Sequence, residues 1–386
     1  MSRGGPETAR VRGPRRGRRI LVATVAGLAV FALGVACVPR PPQLGAASGD
    51  PALAAQAASL LKDEPGTRGR ISIAVVEGVV AGAPESGEVR FVDFGADSET
   101  EYEIGSVTKT MTASLLAEAA ARGEVSLDTK LGTLLDLGAS PAAGVSLEEL
   151  ATHTSGLPRL ALTPGMILGS IVANYRASNP YSEDLPQLLD QARGSALTDP
   201  GAVAYSNLGV ALLGHALAAA AGTDYATLLR ERVFVPLRLD STRLPETAAE
   251  LGPDAPHGYT QGGRAAEPWV LHAYSPAGGV RSTSADLARY AAALLAETAP
   301  GATALEPLRD DGDGGQVGLA WFRTAEGVTW HNGGTGGFMS YVGLDRERGS
   351  AVVVLSNTAV SVDALGAGLL AGLDAGKPKR ESEGAR

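Results

Sequence analysis

The residues with the most chemical promise lie in one short stretch, Glu103-Ile104-Gly105-Ser106-Val107-Thr108-Lys109, which runs into an apolar helical pattern from Met111 to Ala121. Ser106 and Lys109 stand three residues apart where that pattern begins, a spacing that puts both side chains on one face of a helix. An amine beside a serine hydroxyl can take its proton and free the oxygen to attack a carbonyl carbon. The unpaired N–H groups of a helix start can meet the negative charge that then develops on the substrate. Ser106 is therefore the candidate nucleophile, and Lys109 its activator. A second Ser-x-x-Lys, Ser59 to Lys62, comes late in its helical segment and just before a Pro65-Gly66 break. It gains nothing from a helix N-terminus and reads as a surface pair.

Other chemistries find little footing. No serine sits in a Gly-x-Ser-x-Gly elbow, no His-Glu-x-x-His occurs, and no Gly-x-x-x-x-Gly-Lys phosphate loop is present. Five scattered histidines do not assemble a zinc site, and the single cysteine, Cys37, excludes an internal disulfide framework. Between Ser48 and Gly376 the only lysines are Lys62, Lys109 and Lys130. A Ser-x-x-Lys at a helix start is hard to attribute to chance in so lysine-poor a body.

The elements that must position this pair follow from periodicity. Ala52–Leu61 has helical spacing and good helix formers. Ile71–Val80 and Glu88–Phe94 are β-branched apolar runs that predict a hairpin. Ser126-Leu127-Asp128 and Ser146-Leu147-Glu148-Glu149 read as helix starts with acidic first turns. From Pro158 to Pro200 the pattern is irregular and predicts loops and short helices beside the site. Helices are expected at Leu208–Ala221, closed by Gly222, at Tyr225–Phe234, and at Leu287–Leu295 behind a Ser282–Asp286 cap. Strands follow at Val317–Arg323, Val328–His331, Phe338–Leu344 and Ala351–Leu355, with a last helix over Val362–Leu373. Strands at both ends and helices between them predict an α+β body, with one antiparallel sheet flanked by helices and an inserted, mostly helical region. The sheet part would take residues 51–105 and 265–376, the helical part 106–264. Ser106 would then lie where the two meet.

The whole chain has 386 residues, 44% of them hydrophobic, enough for a sizeable core, and a net charge of −9. Residues 1–19 hold seven arginines and one glutamate, so the body is more acidic still, which argues against nucleic acid as a partner. The basic Arg10–Arg19 segment followed by apolar Ile20–Val38 has the order of an export signal over residues 1–38. Its apolar run is also just long enough to span a bilayer. Three fates stay open: an uncleaved membrane anchor, lipid attachment at Cys37 within Leu33-Gly34-Val35-Ala36-Cys37, or cleavage. All three place the body outside the cytoplasm, tethered to the membrane or secreted. Residues 39–50, with Pro39, Pro41 and Pro42, read as a tether, 51–376 as the folded domain, and 377–386 as a disordered tail.

Two further motifs complete a pattern. Ser106-Val107-Thr108-Lys109, Tyr205-Ser206-Asn207 and His331-Asn332-Gly333, in that order, resemble the three motifs of the serine β-lactamase and penicillin-binding protein superfamily. The Tyr-x-Asn form resembles the class C β-lactamases, the D-Ala-D-Ala carboxypeptidases and related esterases. His153-Thr154-Ser155-Gly156-Leu157-Pro158, Pro200-Gly201, Ala277–Thr283 and His331–Phe338 add to the likeness, which covers roughly residues 55–372. It implies a serine hydrolase that needs no metal or organic cofactor and passes through an acyl-Ser106 intermediate. Its substrate would be a small molecule or peptide, peptidoglycan-related among the options. Lys109 and Tyr205 would share the proton transfers, Tyr205 as general base, while Asn207 would fix Lys109 and the substrate amide. His331 and Gly333 would line the substrate strand, and the Ser106 and Gly334 N–H groups would form the oxyanion hole. The resemblance makes His153 a structural residue of its turn. His331 stands where β-lactamases commonly carry lysine, so recognition of a substrate carboxylate is expected to be weaker or pH-dependent. The implied activities are a β-lactamase or D-Ala-D-Ala carboxypeptidase, alternatively a carboxylesterase, or else a non-catalytic sensor of penicillins or cell-wall fragments.

Overall fold

The computed structural model describes residues 41–374 apart from 63, 162–163 and 252–255. Along them run strands β1 (Ala47–Gly49), β2 (Ile71–Glu77), β3 (Glu88–Phe94), β4 (Tyr102–Glu103), β5 (Gly258–Tyr259), β6 (Ala265–Ala266) and β7 (Arg281–Ser282). The remaining strands are β8 (Arg309–Asp310), β9 (Gln316–Val317), β10 (Phe322–Arg323), β11 (Thr329–Gly334), β12 (Met339–Asp345) and β13 (Ser350–Ser356). Nine of them form one antiparallel sheet in the order β1-β3-β2-β13-β12-β11-β10-β9-β8. The N- and C-terminal strands therefore share a sheet, as an α+β body requires, with β2 against β13 at its centre.

Both faces of that sheet are buried, which is why its central strands are apolar without alternation. Ile71, Ile73, Val75, Val352 and Val354 face one way, onto the helices Pro51–Lys62 and Asp363–Asp374 through Leu53, Ala57, Leu365 and Leu369. Ala74, Val76, Val353 and Leu355 face the other way, into the larger core with the helices Thr108–Ala121, Asn207–Ala221 and Ser284–Leu295. The period of two carries through to β11. Trp330 stacks on Tyr341 on the first face, while His331 points into the second.

The local expectations meet the structure with instructive exceptions. Ser146 and Glu149 form a reciprocal capping box on the helix Leu147–Ala151. Ser126, by contrast, starts no helix: its N–H and hydroxyl both bond to Thr129 Oγ1, and the chain turns. Val317–Arg323 is not one strand, because Ala320 takes φ 56° and splits β9 from β10. The irregular 158–200 segment holds two full helices, Pro164–Arg176 and Leu185–Gly194, the second opened by an Asp184–Gln187 capping box. The tether's last residues, Ala47–Gly49, add an edge strand to β3. The apolar 20–38 run and the 377–386 tail lie outside the described residues. Among those that are described, no helix is long and apolar enough to cross a membrane.

Two features fix the nucleophile turn against the rest. The first is close backbone approach. A Cβ on Gly333 would sit 2.0 Å from the Ile104 carbonyl oxygen and 2.9 Å from the Ser106 nitrogen. A Cβ on Gly105, whose φ is +50°, would sit 2.6 Å from the Gly334 nitrogen. Ser340 in β12 donates a 2.7 Å hydrogen bond to the Ile104 carbonyl and pins the same turn. The second feature is a buried ion network. Arg281 in β7, wholly out of water, donates to Glu101 at 2.6 Å and to Glu103 at 2.8 Å, and Arg243 grips Glu101 from the other side. Burial pushes both carboxyls up. For Glu101 the two guanidinium groups outweigh it and hold the group low, whereas Glu103 stays raised despite Arg281. Glu103 Oε1 also accepts the Trp269 N–H at 2.8 Å.

Two stability measurements follow from this packing. Gly333→Ala forces a clash with backbone that cannot move aside, so thermal unfolding should show a loss of about 1–3 kcal/mol. Arg281→Met strands the buried Glu103 carboxylate, leaves Glu101 to Arg243 alone, and should cost about 3–5 kcal/mol by denaturant titration. An unchanged midpoint in either variant would contradict the packing described.

Candidate active site

Ser106 sits in a 3₁₀ turn, Gly105–Val107, immediately before the helix Thr108–Ala121, rather than within the helix itself. The turn keeps the one-face relation that the spacing demanded. Lys109 Nζ lies 3.0 Å from Ser106 Oγ and also donates to the Ala277 carbonyl. Lys109 is completely buried, and its neighbours include no carboxylate partner among the described residues. Burial, reinforced by the positive charge of Arg159, drives its amine well below the usual lysine range. An amine so displaced gives up its proton more readily, and once unprotonated it can take the serine proton at this distance. Asn207, expected to fix Lys109, gives way to Ala277 in that task.

The Tyr205 segment is delivered by the turn that begins at His153. Thr154 and His153 accept backbone hydrogen bonds from Gly201 and Ala204, and Gly156 exchanges one with Thr198. His153 takes a positive φ of 59°, accepts the Ser206 N–H at Nδ1 (3.2 Å), and lies against the Tyr205 ring with centroids 4.5 Å apart. Burial and the neighbouring Lys109 and His331 push His153 well down, in keeping with an acceptor that supports Tyr205 and carries no charge. Tyr205 stands 4.9 Å (ring centroid) from Lys109 Nζ. Burial pushes its phenol up to about 12, against the downward pull of the Ser106 hydroxyl and the Arg159 guanidinium. The group therefore holds its proton at neutral pH.

Ser206 caps the helix Asn207–Ala221 by accepting the Gly209 N–H at 2.9 Å, which leaves the Asn207 side chain free of capping duty. Asn207 Oδ1 is buried without a hydrogen-bond partner, and the residue lines a cavity that opens at Ser106. That cavity encloses about 310 Å³. Ser106, Gly105, Ala277 and Gly334 form its reactive end, and Tyr181, Trp269, Leu160 and Ala173 supply apolar walls.

His331 is brought beside the site but is fully buried, its ring 6.4 Å from that of Tyr205, with Nδ1 on the Asn332 carbonyl. Burial and the nearby Lys109 lower it to about 3, so the histidine is neutral throughout the physiological range. Asn332 points to the opposite face and donates to Asp363. Gly333 is the close-approach residue already described, and Gly334 exposes its backbone at the cavity. The Ser106 and Gly334 nitrogens thus lie on adjoining segments of backbone at one end of the pocket, the arrangement an oxyanion hole needs.

Sequence reasoning missed Arg159, Trp269, Tyr181 and the Ala277 carbonyl. Arg159 directly follows Pro158 and carried a readable cue, a lone cation behind the His153–Pro158 turn. Trp269 and Tyr181 carried none, since each arrives from an irregular segment.

Comparison with known proteins agrees with this constellation. The β-lactamase family model matches residues 68–375. A D-alanyl-D-alanine carboxypeptidase/endopeptidase, AmpH of Escherichia coli K12, is 30% identical over 288 residues, covering 66% of this chain and 71% of that protein. A human β-lactamase-like protein is 32% identical over 217 residues, or 52% of this chain, which spans only 40% of that relative's length. Among solved structures, a class C β-lactamase from Rhodobacter sphaeroides superposes with TM-score 0.68 at 23% identity, covering 84% of this chain and 99% of its own. A β-lactamase/D-alanine carboxypeptidase from Pseudomonas syringae gives 0.69 at 20% identity, covering 85% of this chain and all of its own. With the Ser106–Lys109 pair, the Tyr205 segment and the β11 strand converging on one cavity, the chain belongs to the β-lactamase family.

Proposed function

We propose that this protein is an exported serine hydrolase that cleaves an amide, lactam or ester bond through an acyl-Ser106 intermediate, with D-Ala-type carboxypeptidase or β-lactamase activity foremost. The observation that carries the reading is the buried, uncompensated Lys109 amine at 3.0 Å from the Oγ of Ser106, which itself lines a cavity of substrate size. The basic and then apolar order of the first 38 residues supports export.

In the proposed cycle, neutral Lys109 takes the Ser106 proton as Oγ bonds to the substrate carbonyl carbon. Negative charge on the carbonyl oxygen is met by the Ser106 and Gly334 N–H groups. Tyr205, still protonated, gives its proton to the departing amine or alkoxide as the scissile bond breaks, and regains one from Lys109. Water then attacks the acyl-enzyme carbonyl, its proton passing back through the same pair to Ser106. Lys109 thus becomes the base and Tyr205 the acid, a division of labour that their opposite displacements favour. Asn207 lines the cavity, and its amide is suited to hydrogen-bond a substrate amide. One feature favours the ester alternative: neutral His331 offers no cation for a substrate carboxylate at the position where lysine is common.

Four measurements bear on this reading. A fluorophosphonate or penicillin probe should modify Ser106, and labelling that survives Ser106→Ala would sink the assignment. Hydrolysis of a chromogenic cephalosporin, a D-Ala-D-Ala peptide and a short-chain aryl ester separates the activities; stoichiometric labelling with no turnover of any would instead favour a sensor. In the pH profile of acylation, Lys109 must be unprotonated, and its amine lies below the usual lysine range. Activity should therefore fall on acidification as Lys109 gains its proton, with an acid limb below the pH expected of an ordinary lysine, and Lys109→Met should lower the rate about 10²–10⁴-fold. The His331 ring should not titrate between about pH 5 and 8 by NMR, and a midpoint near the free-histidine value would overturn its neutral assignment.

A further inference from the structure

We propose that Arg159 is the anion-binding residue of this site, so that the preferred substrate carries a carboxylate close to its scissile carbonyl. This inference rests on the hydrolase reading above. Among the described residues, Arg159 is the only charged one lining the cavity, and none of the described lining residues is acidic. Every other lining group is apolar, a backbone segment, a hydroxyl or an amide. The guanidinium forms no ion pair within the described residues; its described neighbour is the Tyr205 ring, 5.3 Å from the guanidinium carbon to the ring centroid. Its backbone is not free to wander, because the Arg159 carbonyl accepts the Asn207 and Leu208 N–H groups at the start of the Asn207–Ala221 helix. A solvent-exposed planar fork of donors is therefore held beside the amide that faces the substrate, at the mouth of the same cavity as Ser106.

The contrast with His331 sharpens the assignment. His331 occupies the strand position where a cation would be expected, yet it is sealed from the cavity and uncharged. Lys109 is committed to Ser106 and to the Ala277 carbonyl. Among the described residues at the site, that leaves Arg159 as the one positive charge a substrate anion can reach. A carboxylate there gains a charge-assisted, potentially two-pronged hydrogen bond and is drawn toward the opening by the local field.

The test compares matched aryl esters with the full folded chain. One pair places the carboxylate on the acyl part (4-nitrophenyl hemiglutarate against 4-nitrophenyl valerate), the other on the leaving group (3-butyryloxybenzoate against phenyl butyrate). In at least one pair, the wild type should prefer the anionic member in kcat/KM, mainly through KM. Arg159→Gln should reduce that anionic-to-neutral ratio about tenfold, and Arg159→Lys should restore part of it. A role confined to the electrostatics of Lys109 would behave differently. Removing the cation raises the Lys109 pKa, moves the acid limb of both esters to higher pH, and leaves the ratio as it was. A ratio near one in both wild-type pairs, or one unaffected by Arg159→Gln, overturns the proposal. Neutral fluorophosphonate labelling of Ser106 is followed in parallel. Loss of labelling in the wild type would count against the hydrolase reading, whereas labelling without charge preference counts against Arg159 alone.

Discussion

An amine that must stay out of water with no counter-charge is the constraint on which this site depends. Lys109 is enclosed by the helices of the larger core and by the Ala277 backbone, and its proton affinity falls because nothing nearby repays the loss of hydration. A carboxylate at the same distance would restore the charge and turn the pair into a structural ion bridge. Glu101 and Glu103, just before the nucleophile turn, are paired with Arg281 and Arg243. That network holds the nucleophile turn in place. Its own desolvation makes it a source of geometry more than of stability.

Small residues make the second half of the arrangement. Gly105 and Gly333 let two backbones run side by side at a separation that a Cβ on either would prevent. The nucleophile and the edge of the strand can then address one carbonyl. The neutral His331 fits the same logic. A permanent cation in its sealed position, so near Lys109, would put an uncompensated charge into the same interior. The free charge sits instead at the cavity mouth on Arg159, where water can share its solvation.

Much of this was legible in the chain. The continuous apolar, β-branched runs at Ile71–Glu77, Met339–Asp345 and Ser350–Ser356, and the capped helices at Ser146, Ser206 and Thr283, are local signals carried by neighbouring residues. The Ser106–Lys109 spacing fixes its own geometry, because three residues of helical or 3₁₀ backbone leave little freedom. Where reading failed, a local cue was overruled. Ser126 satisfied its donors with a turn in place of a helix, Ala320 broke an apparently continuous strand, and an irregular composition hid the helices Pro164–Arg176 and Leu185–Gly194.

The division between chain and fold follows from the range of the forces involved. Covalent spacing, periodicity and capping act within a few residues, so the order of residues was enough to place the serine beside its lysine and to lay out an α+β body. Protonation states and charge partners depend on burial and on groups hundreds of positions away. The lowered proton affinity of Lys109, the neutrality of His331, the retained proton of Tyr205, the replacement of Asn207 by the Ala277 carbonyl as anchor of Lys109, and the exposure of Arg159 at the pocket were settled by packing alone. Desolvation is a property of the assembled interior, and no stretch of sequence carries it.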